Sequence, residues 1–543
     1  MSFIDVFFDN LREHPSRPMV QEVHGDTLVP STGRELLDLI ARGRASLRSS
    51  SVNAGDRVVL LAPNGIRWVA TDLAALAEGA VVVPMYARQD PAELVEMMHD
   101  CEPSLVVAAN DTLADAIRAQ WSDAPLVVFD TFFASEPIDL ATPPALRADS
   151  DPVTIIYTSG SSGVPKGVVY SVGNVDFMLP STRDALVAMM GERPVPDRVF
   201  HYLPFCFAGS RVVLWTCLLR ANPIMVSTNL DNLAQELKTA APNYLLNVPM
   251  LLERIKNGVE SKIRERPRAI QWLYEHARDA WYRAAVGQGG KRDSAAIWLG
   301  KQVLFDRIRQ QIGPNLECLI CGSAPLGEDT QRWFQMLGIP VYQVYGLTET
   351  TAIVTMDVPP SVYAGRVGPL ISGVEARISE EGEMQVRGPN VFSGYWRNPD
   401  ATTDAFVDGW FRTGDRAELD HTNTWRIIGR VKNLLVPSSG HNVAPEPIEQ
   451  QIIETIEGVE QAVLVGHGRP YLCALVSGAA DEAVVAAGIE RINEGLPHYR
   501  RVRKWALVDD PFSVENGLLT ANRKLRRSAI EAAHGAAIDG FYA

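Results

Sequence analysis

Arg57-Val58-Val59-Leu60-Leu61 is an apolar run behind a single charge, and it predicts a strand buried on both faces. Ile66 to Leu76 then carries apolar residues at helical spacing. Val81 to Pro84 predicts a second strand, and Pro91 to Met98 a helix opened by proline. Leu105 to Val107 and Leu126 to Phe129 predict further strands. A second round follows at Tyr244 to Val248, Leu316 to Cys321 and Val341 to Tyr345. Near-continuous β-branched runs separated by helices imply buried, mostly parallel sheets, so the fold class is α/β and layered.

Two stretches break this rhythm. Lys256 to Arg309 is charged, rich in Arg, Lys, Trp and Tyr, and helical, with Gly287 to Lys291 as an interruption. It suits either a solvated helical pair or a basic face toward an anionic membrane or partner. From Val374 the pattern turns to hairpins, at Val374 to Ile378, Glu383 to Arg387 and Trp425 to Ile428. The last stretch carries a helix at Glu446 to Ile456 and strands at Ala462 to Val465 and Leu472 to Val476. This reads as a small α+β unit, with the boundary near Arg430 to Asn433.

The chain has 543 residues, more than one core usually supports, so two or more domains are expected. Its net charge of −14 argues against a nucleic-acid partner. Met1-Ser2-Phe3-Ile4-Asp5 lacks the basic and apolar regions of a secretory signal, and the expected location is cytoplasmic. Six scattered cysteines fit a reducing compartment. Cys318 and Cys321 form a C-x-x-C, read either as half of a redox or metal site or as two small residues of one buried strand.

Tyr157 to Gly167 reads YTSGSSGVPKG behind the apolar run Val153 to Ile156. Glycines let backbone approach a ligand, successive N–H groups cradle anions, and Lys166 adds charge. It is not a Walker A loop, because no Ser or Thr follows the lysine. A solvated linker is the competing reading. Four further motifs bear on it. Cys321-Gly322-Ser323-Ala324 turns at a predicted strand end, where α/β sheets bind ligands. Tyr345-Gly346-Leu347-Thr348-Glu349 offers a hydroxyl beside a carboxylate, suited to Mg²⁺ and phosphate. Phe411-Arg412-Thr413-Gly414-Asp415 places an acceptor carboxylate after a tight turn. Gly429-Arg430-Val431-Lys432 supplies a guanidinium at the boundary. Each alone has a plainer reading, as a cap, a turn or surface charge.

In this order the motifs resemble the adenylate-forming superfamily of acyl-CoA synthetases, adenylation domains and luciferases, over nearly the whole chain. The resemblance implies an N-terminal domain of layered sheets flanked by helices, residues 1–431, and a small mobile α+β domain, residues 432–543. It implies ATP, Mg²⁺ and coenzyme A. Thr158, Ser159, Gly160, Ser161, Ser162, Gly163 and Lys166 would hold the β- and γ-phosphates. Gly322, Ser323 and Ala324 would line the adenine and acyl pocket, beside Tyr345 and Gly346. Thr348 would meet the α-phosphate and Glu349 would hold Mg²⁺, while Asp415 and Arg430 would bind ribose. Lys432 would be the hinge, and Lys524, in the tail Asn516 to Arg527, would be the catalytic lysine of the first half-reaction. The segment at Gly440 would enter for the thiol step.

Ser438 to Glu449, the tail and the helical insert after Val248 look like the long-chain fatty acyl-CoA synthetases. That implies an apolar acyl pocket, with Phe205, Phe207, Trp215 and Met250 as candidate lining. The implied activity is an acid–thiol ligase acting on a medium- or long-chain acid. A carrier-protein thiol, an intramolecular hydroxyl closing a β-lactone, or an aryl or other apolar acid stand as alternatives. Three positions depart from the family: Val172 and Phe207, where relatives often carry His, and Cys321, where they carry Ser or Gly.

Overall fold

The computed structural model describes residues 2–159, 165–438, 441–520 and 524–543. They form two compact units, one of residues 1–375 and 386–411, the other of residues 376–385 and 412–543.

The first unit is built on two sheets. One is seven-stranded, in the order Gly394–Tyr395, Pro165–Ser171, Pro152–Ser159, Val81–Met85, Arg57–Leu61, Leu105–Ala108, Leu126–Val128. The last four run parallel, in register Val58↔Val82 and Val58↔Leu105. Side chains alternate across a strand. Val58 and Leu60 therefore join the core shared with helices Gly33–Ser49 and Ile66–Ala77, while Val59 and Leu61 join the one capped by helix Pro91–Cys101. The strands are apolar without alternation because both faces are covered.

The other sheet is eight-stranded, in the order Thr355–Met356, Val341–Tyr345, Cys318–Cys321, Tyr244–Asn247, Val199–His201, Ile224–Ser227, Pro18–His24, Thr27–Thr32. Its six inner strands are parallel and its two edges antiparallel. Cys318 and Cys321 lie three apart on one strand, so they face opposite cores. All six cysteines are reduced and buried, and the C-x-x-C is core packing.

Helix Ile66–Ala77 is buried from Trp68 through Ala77, and its Asp72 needs a counter-charge. Arg211 supplies it, with Thr154 Oγ1 accepting from Arg211 at 2.7 Å and Trp215 Nε1 donating to Asp72 at 3.1 Å. Trp215 is thereby a core residue of this network.

The charged insert is helical, as expected: Pro249–Arg264, Arg268–Ala285, Lys291–Gly300 and Asp306–Ile312. Two of these helices pack so closely that a Cβ on Gly300 would lie 2.4 Å from that of Ala277. Trp272 and Trp298 remain 57% and 64% exposed. Among the described residues no helix is long and apolar enough to cross a membrane.

In the second unit, Val459–Val465 and Leu472–Gly478 pair antiparallel, and Val502–Val508 adds parallel. Ala462 and Leu464 pack under helices Glu446–Thr455 and Glu482–Glu494, whereas Val463 and Val465 pack under Phe512, Leu519, Ile530 and Phe541. Strands Trp410–Leu419 and Trp425–Arg430 form an antiparallel ribbon earlier in the chain.

Candidate active site

The glycine-rich loop joins two antiparallel strands, with Tyr157 opposite Gly167 and Thr158 opposite Lys166. Behind the loop comes a strand, not a helix N-terminus. Gly167 is dictated by crowding, since a Cβ there would sit 2.6 Å from Ile155 Cγ2. Gly160, Ser161, Ser162, Gly163 and the side chain of Ser159, all named as phosphate ligands, lie outside the described residues.

Thr348 and Glu349 begin a single turn of tight helix after strand Val341–Tyr345. Gly346 lets the chain fold back on itself, because a Cβ there would meet Ala352 O at 2.1 Å. The Thr350 hydroxyl accepts from Leu347 N–H at 2.9 Å and closes the turn. Two tyrosines brace it. Tyr170, on the strand leaving the loop, donates to Thr348 O at 2.6 Å. Tyr395 donates to Glu349 Oε1 at 2.9 Å, and its ring centroid lies 5.1 Å from Lys166 Nζ. The structure thus brings Lys166, Thr348 and Glu349 together.

Neither tyrosine was apparent from the motifs. The segment bearing Tyr395 is placed by main-chain bonds: Asn174 Nδ2 donates to Pro389 O and Val391 O at 2.8 and 2.9 Å, and Phe392 N–H to Glu349 O at 2.8 Å. Trp396 N–H then donates to Gly167 O at 2.7 Å. The aromatic cluster around Gly394-Tyr395-Trp396 was the available signal.

Beside this turn, strands Tyr244–Asn247 and Cys318–Cys321 end in register, Asn247 opposite Cys321. Gly322 N–H donates to Asn247 O at 3.1 Å, and a Cβ on Gly322 would press Val344 Cγ2 at 2.7 Å. Ser323 holds φ +72°, a strained value for a residue with a side chain, and Ser323 and Ala324 are exposed. Tyr345 is half-buried at the next strand end.

The acyl candidates divide. Phe207 is half-buried, caps helix Ala208–Leu219 and lies 6.0 Å from the Tyr86 ring. Met250 is 42% exposed in the first turn of helix Pro249–Arg264. Phe205 is fully buried between Trp68 and His201, stacked on the imidazole at 5.1 Å. Burial pushes His201 down to about 3, so the imidazole is neutral. Val172 is buried at the start of helix Val172–Met190, and burial pushes the Cys321 thiol up, out of the range of a nucleophile at neutral pH.

In the second unit Asp415 faces Arg430 across the ribbon, Oδ1 to Nε 2.8 Å, with the carboxylate 6% exposed. Gly414 reaches φ +71°, and Glu383, absent from the motif reading, accepts from Gly414 N–H at 2.8 Å and Arg412 Nε at 3.2 Å. Lys432 is exposed in the turn Val431–Asn433, and Asn433 donates to Glu446 Oε1 at 2.7 Å. Lys524 is exposed; its N–H donates to Thr520 Oγ1 at 3.0 Å, and Thr520 N–H to Lys524 O at 2.8 Å. Arg527 then pairs with buried Glu449, Nη1 to Oε1 2.8 Å. Gly440 lies outside the described residues.

The first unit's donor set, Lys166, Thr348 and Glu349, fits a polyphosphate with Mg²⁺. Among the described residues no group of three or more His, Cys, Asp or Glu converges as a metal cage. A single oriented carboxylate, Glu349, suits a cation that takes one protein ligand and completes its shell with phosphate oxygens and water. In the second unit, Asp415 presents carboxylate oxygens of the kind a ribose hydroxyl donates to.

Comparison with known proteins agrees. The family described as AMP-binding enzyme matches residues 7–396, and its C-terminal domain matches residues 432–543. The long-chain-fatty-acid–CoA ligase FadD15 of Mycobacterium tuberculosis is 26% identical, covering 98% of this chain and 96% of that protein. The chloroplastic long-chain-fatty-acid–[acyl-carrier-protein] ligase AEE15 of Arabidopsis thaliana is 24% identical, over 99% and 86%. Among solved structures, the adenylation domain of a carboxylate reductase from Mycobacterium chelonae superposes with TM-score 0.80 at 20% identity, over 100% of this chain and 91% of that one. These structures share the fold.

Proposed function

Because the chain belongs to the AMP-binding enzyme family, we infer that it activates a medium- or long-chain apolar carboxylic acid with ATP and passes the acyl group to coenzyme A. A carboxylate oxygen attacks the α-phosphorus, and the bond to pyrophosphate breaks. The thiol sulfur then attacks the acyl carbonyl, and the carbon–oxygen bond to AMP breaks. Two anions must meet in the first step, so cationic groups must offset their repulsion. Lys166 and the glycine-rich loop take the β- and γ-phosphates, Thr348 the α-phosphate and Lys524 the reacting carboxylate and α-phosphate. Glu349 would hold Mg²⁺, which when bound would supply countercharge to the phosphates. Asp415 and Arg430 orient the ribose; Gly322, Ser323, Ala324, Tyr345 and Gly346 border the adenine, and Phe207 and Met250 the acyl chain. The domain boundary falls at 431/432, with Lys432 as the hinge that exchanges Lys524 for the Gly440 segment between half-reactions.

The observation that carries this reading is the meeting of Lys166 and Glu349 on Tyr395 beside the ends of the parallel strands. Acid-dependent exchange of pyrophosphate into ATP tests it, run over acids of increasing chain length. Lys524→Ala should lower the exchange by about 10²-fold or more, the scale of a lost transition-state donor. Undiminished exchange in that variant would remove Lys524 from the reaction.

A carrier-protein thiol as acceptor is the second reading, favoured by the resemblance to an enzyme named for that acceptor. Product masses with coenzyme A and with a phosphopantetheinylated carrier separate the two. The chain also has a candidate membrane-facing surface. Residues 256–309 hold twelve Lys and Arg against six Asp and Glu in a chain of net charge −14. Exposed Trp272 and Trp298 join them there, a combination suited to peripheral contact with anionic lipid. Buried, reduced cysteines suit a cytoplasmic setting.

A further inference from the structure

The carboxylate and the ammonium that this reading gives to the metal and the phosphates take the same side chain as partner. Tyr395 donates its phenol proton to Glu349 Oε1 at 2.9 Å and presents its ring to Lys166 Nζ at 5.1 Å. Its own placement is over-determined. It pairs with Val168 across the strand that leaves the loop, its N–H donates to Thr402 Oγ1 at 2.9 Å, and its ring packs edge-on against Phe392 at 4.9 Å. Glu349 is tied to the same segment a second time through Phe392 N–H.

We propose that Tyr395 is a positioning residue for the adenylation step: its hydroxyl aims the Glu349 carboxylate at the metal, and its ring seats the Lys166 ammonium. The physical need is clear. A carboxylate facing a polyphosphate would swing away or pair with the nearest cation, and Lys166 is at hand. A phenol between them satisfies both at once. The hydrogen bond fixes one carboxylate oxygen and leaves the other's lone pairs for a cation. The π face holds the ammonium by its quadrupole, and the cation's full charge stays available to phosphate oxygens. Tyr170 holds Thr348 O separately, so the turn's backbone does not depend on Tyr395 alone.

The proposal rests on the adenylation reading, and its test separates the two. Tyr395→Phe removes the hydroxyl and keeps the ring, and Tyr395→Leu removes both. For each variant of the full chain, ATP binding is measured by calorimetry in EDTA and across a Mg²⁺ titration, alongside the Mg²⁺ dependence of pyrophosphate exchange. In Tyr395→Phe the Mg²⁺ midpoint should rise about tenfold, the scale of one hydrogen bond to a charged group, with ATP affinity in EDTA within about twofold of wild type. In Tyr395→Leu the affinity in EDTA should also fall about three-fold, as the ammonium loses its seat. A general loss of packing would shift melting temperature without separating metal dependence from nucleotide affinity. A Mg²⁺ midpoint in Tyr395→Phe within about twofold of wild type overturns the proposal while acid-dependent exchange still upholds the adenylation reading. Absence of that exchange in the wild-type chain overturns both.

Discussion

Replacing Arg527 by Met should destabilise the second unit by roughly 3 kcal/mol, because Glu449 stays behind as a buried, unmatched carboxylate. The figure follows from what Glu449 loses and keeps. Breaking a buried ion pair from one side costs about 3–5 kcal/mol. The side chains here are 16% and 6% exposed, so solvent screens little. Two charge-assisted bonds disappear with Arg527, but Leu464 N–H still donates to Glu449 Oε1 at 2.6 Å, which favours the lower end. At about 4 °C per kcal/mol for a unit of this size, its calorimetric transition should fall by about 12 °C. The deficit should also depend on pH. Burial already pushes the Glu449 carboxyl up against the opposing pull of Arg527, and removing Arg527 pushes it further. The folded carboxyl then holds its proton to higher pH than the unfolded one, so the folded state binds more protons in that window and stability declines as pH rises. The deficit should be smallest near and below pH ~4.5, where the carboxyl is protonated in folded and unfolded chains alike, and should grow as pH rises toward neutral. Glu449→Gln in the Arg527→Met background should recover much of the loss, since the amide oxygen still accepts from Leu464. A transition lowered by less than about 3 °C, or a deficit flat from pH 4 to 7, would refute this reasoning.

His201→Phe should flatten the acid limb of the first unit's stability. The buried imidazole titrates near 3 against about 6.5 unfolded, so the unfolded state binds more protons between those values and stability falls with acidification. Parallel urea titrations at pH 7 and pH 5 should show a smaller difference in the variant than in wild type; equal differences would count against it. Replacing Trp272 and Trp298 together by Ser should weaken sedimentation with anionic phosphatidylglycerol vesicles by about tenfold or more, with pyrophosphate exchange in solution unchanged. Unaltered sedimentation would leave the exposed tryptophans without a lipid role.

Much of this architecture is legible in the chain because both faces of its central strands are buried. Val58 to Leu61 and Val81 to Val83 must be apolar at every position, and such runs stand out. Boundaries moved by a few residues for local reasons. Phe129, read as the end of a strand, opens the short helix Phe129–Phe132, and Val248 became the cap of helix Pro249–Arg264. The antiparallel edges, Thr27–Thr32 and Gly394–Tyr395, were not legible, since short half-exposed strands carry little pattern. Motifs pointed to Lys166, Thr348, Glu349, Asp415 and Arg430 by their ordered succession along the chain, since each alone reads as a cap, a turn or surface charge. Tyr170, Tyr395 and Glu383 escaped notice because they act on other residues, through contacts 178, 46 and 31 positions apart. Trp215 invites a pocket assignment by type alone, and only the burial of Asp72 explains where its indole points.

The backbone threads the two units in a particular order, and this bears on where the proposed hinge can act. The chain passes from one to the other at 375/376, returns at 385/386 and passes again at 411/412. The ribbon that holds Asp415 and Arg430 is tied through Glu383 to the first of those excursions, within the second unit. Beyond Arg430 the chain runs as a single thread through Val431–Asn433 toward helix Glu446–Thr455. At the hinge proposed for Lys432, one proline or glycine is therefore the substitution that would stiffen or loosen the exchange of Lys524.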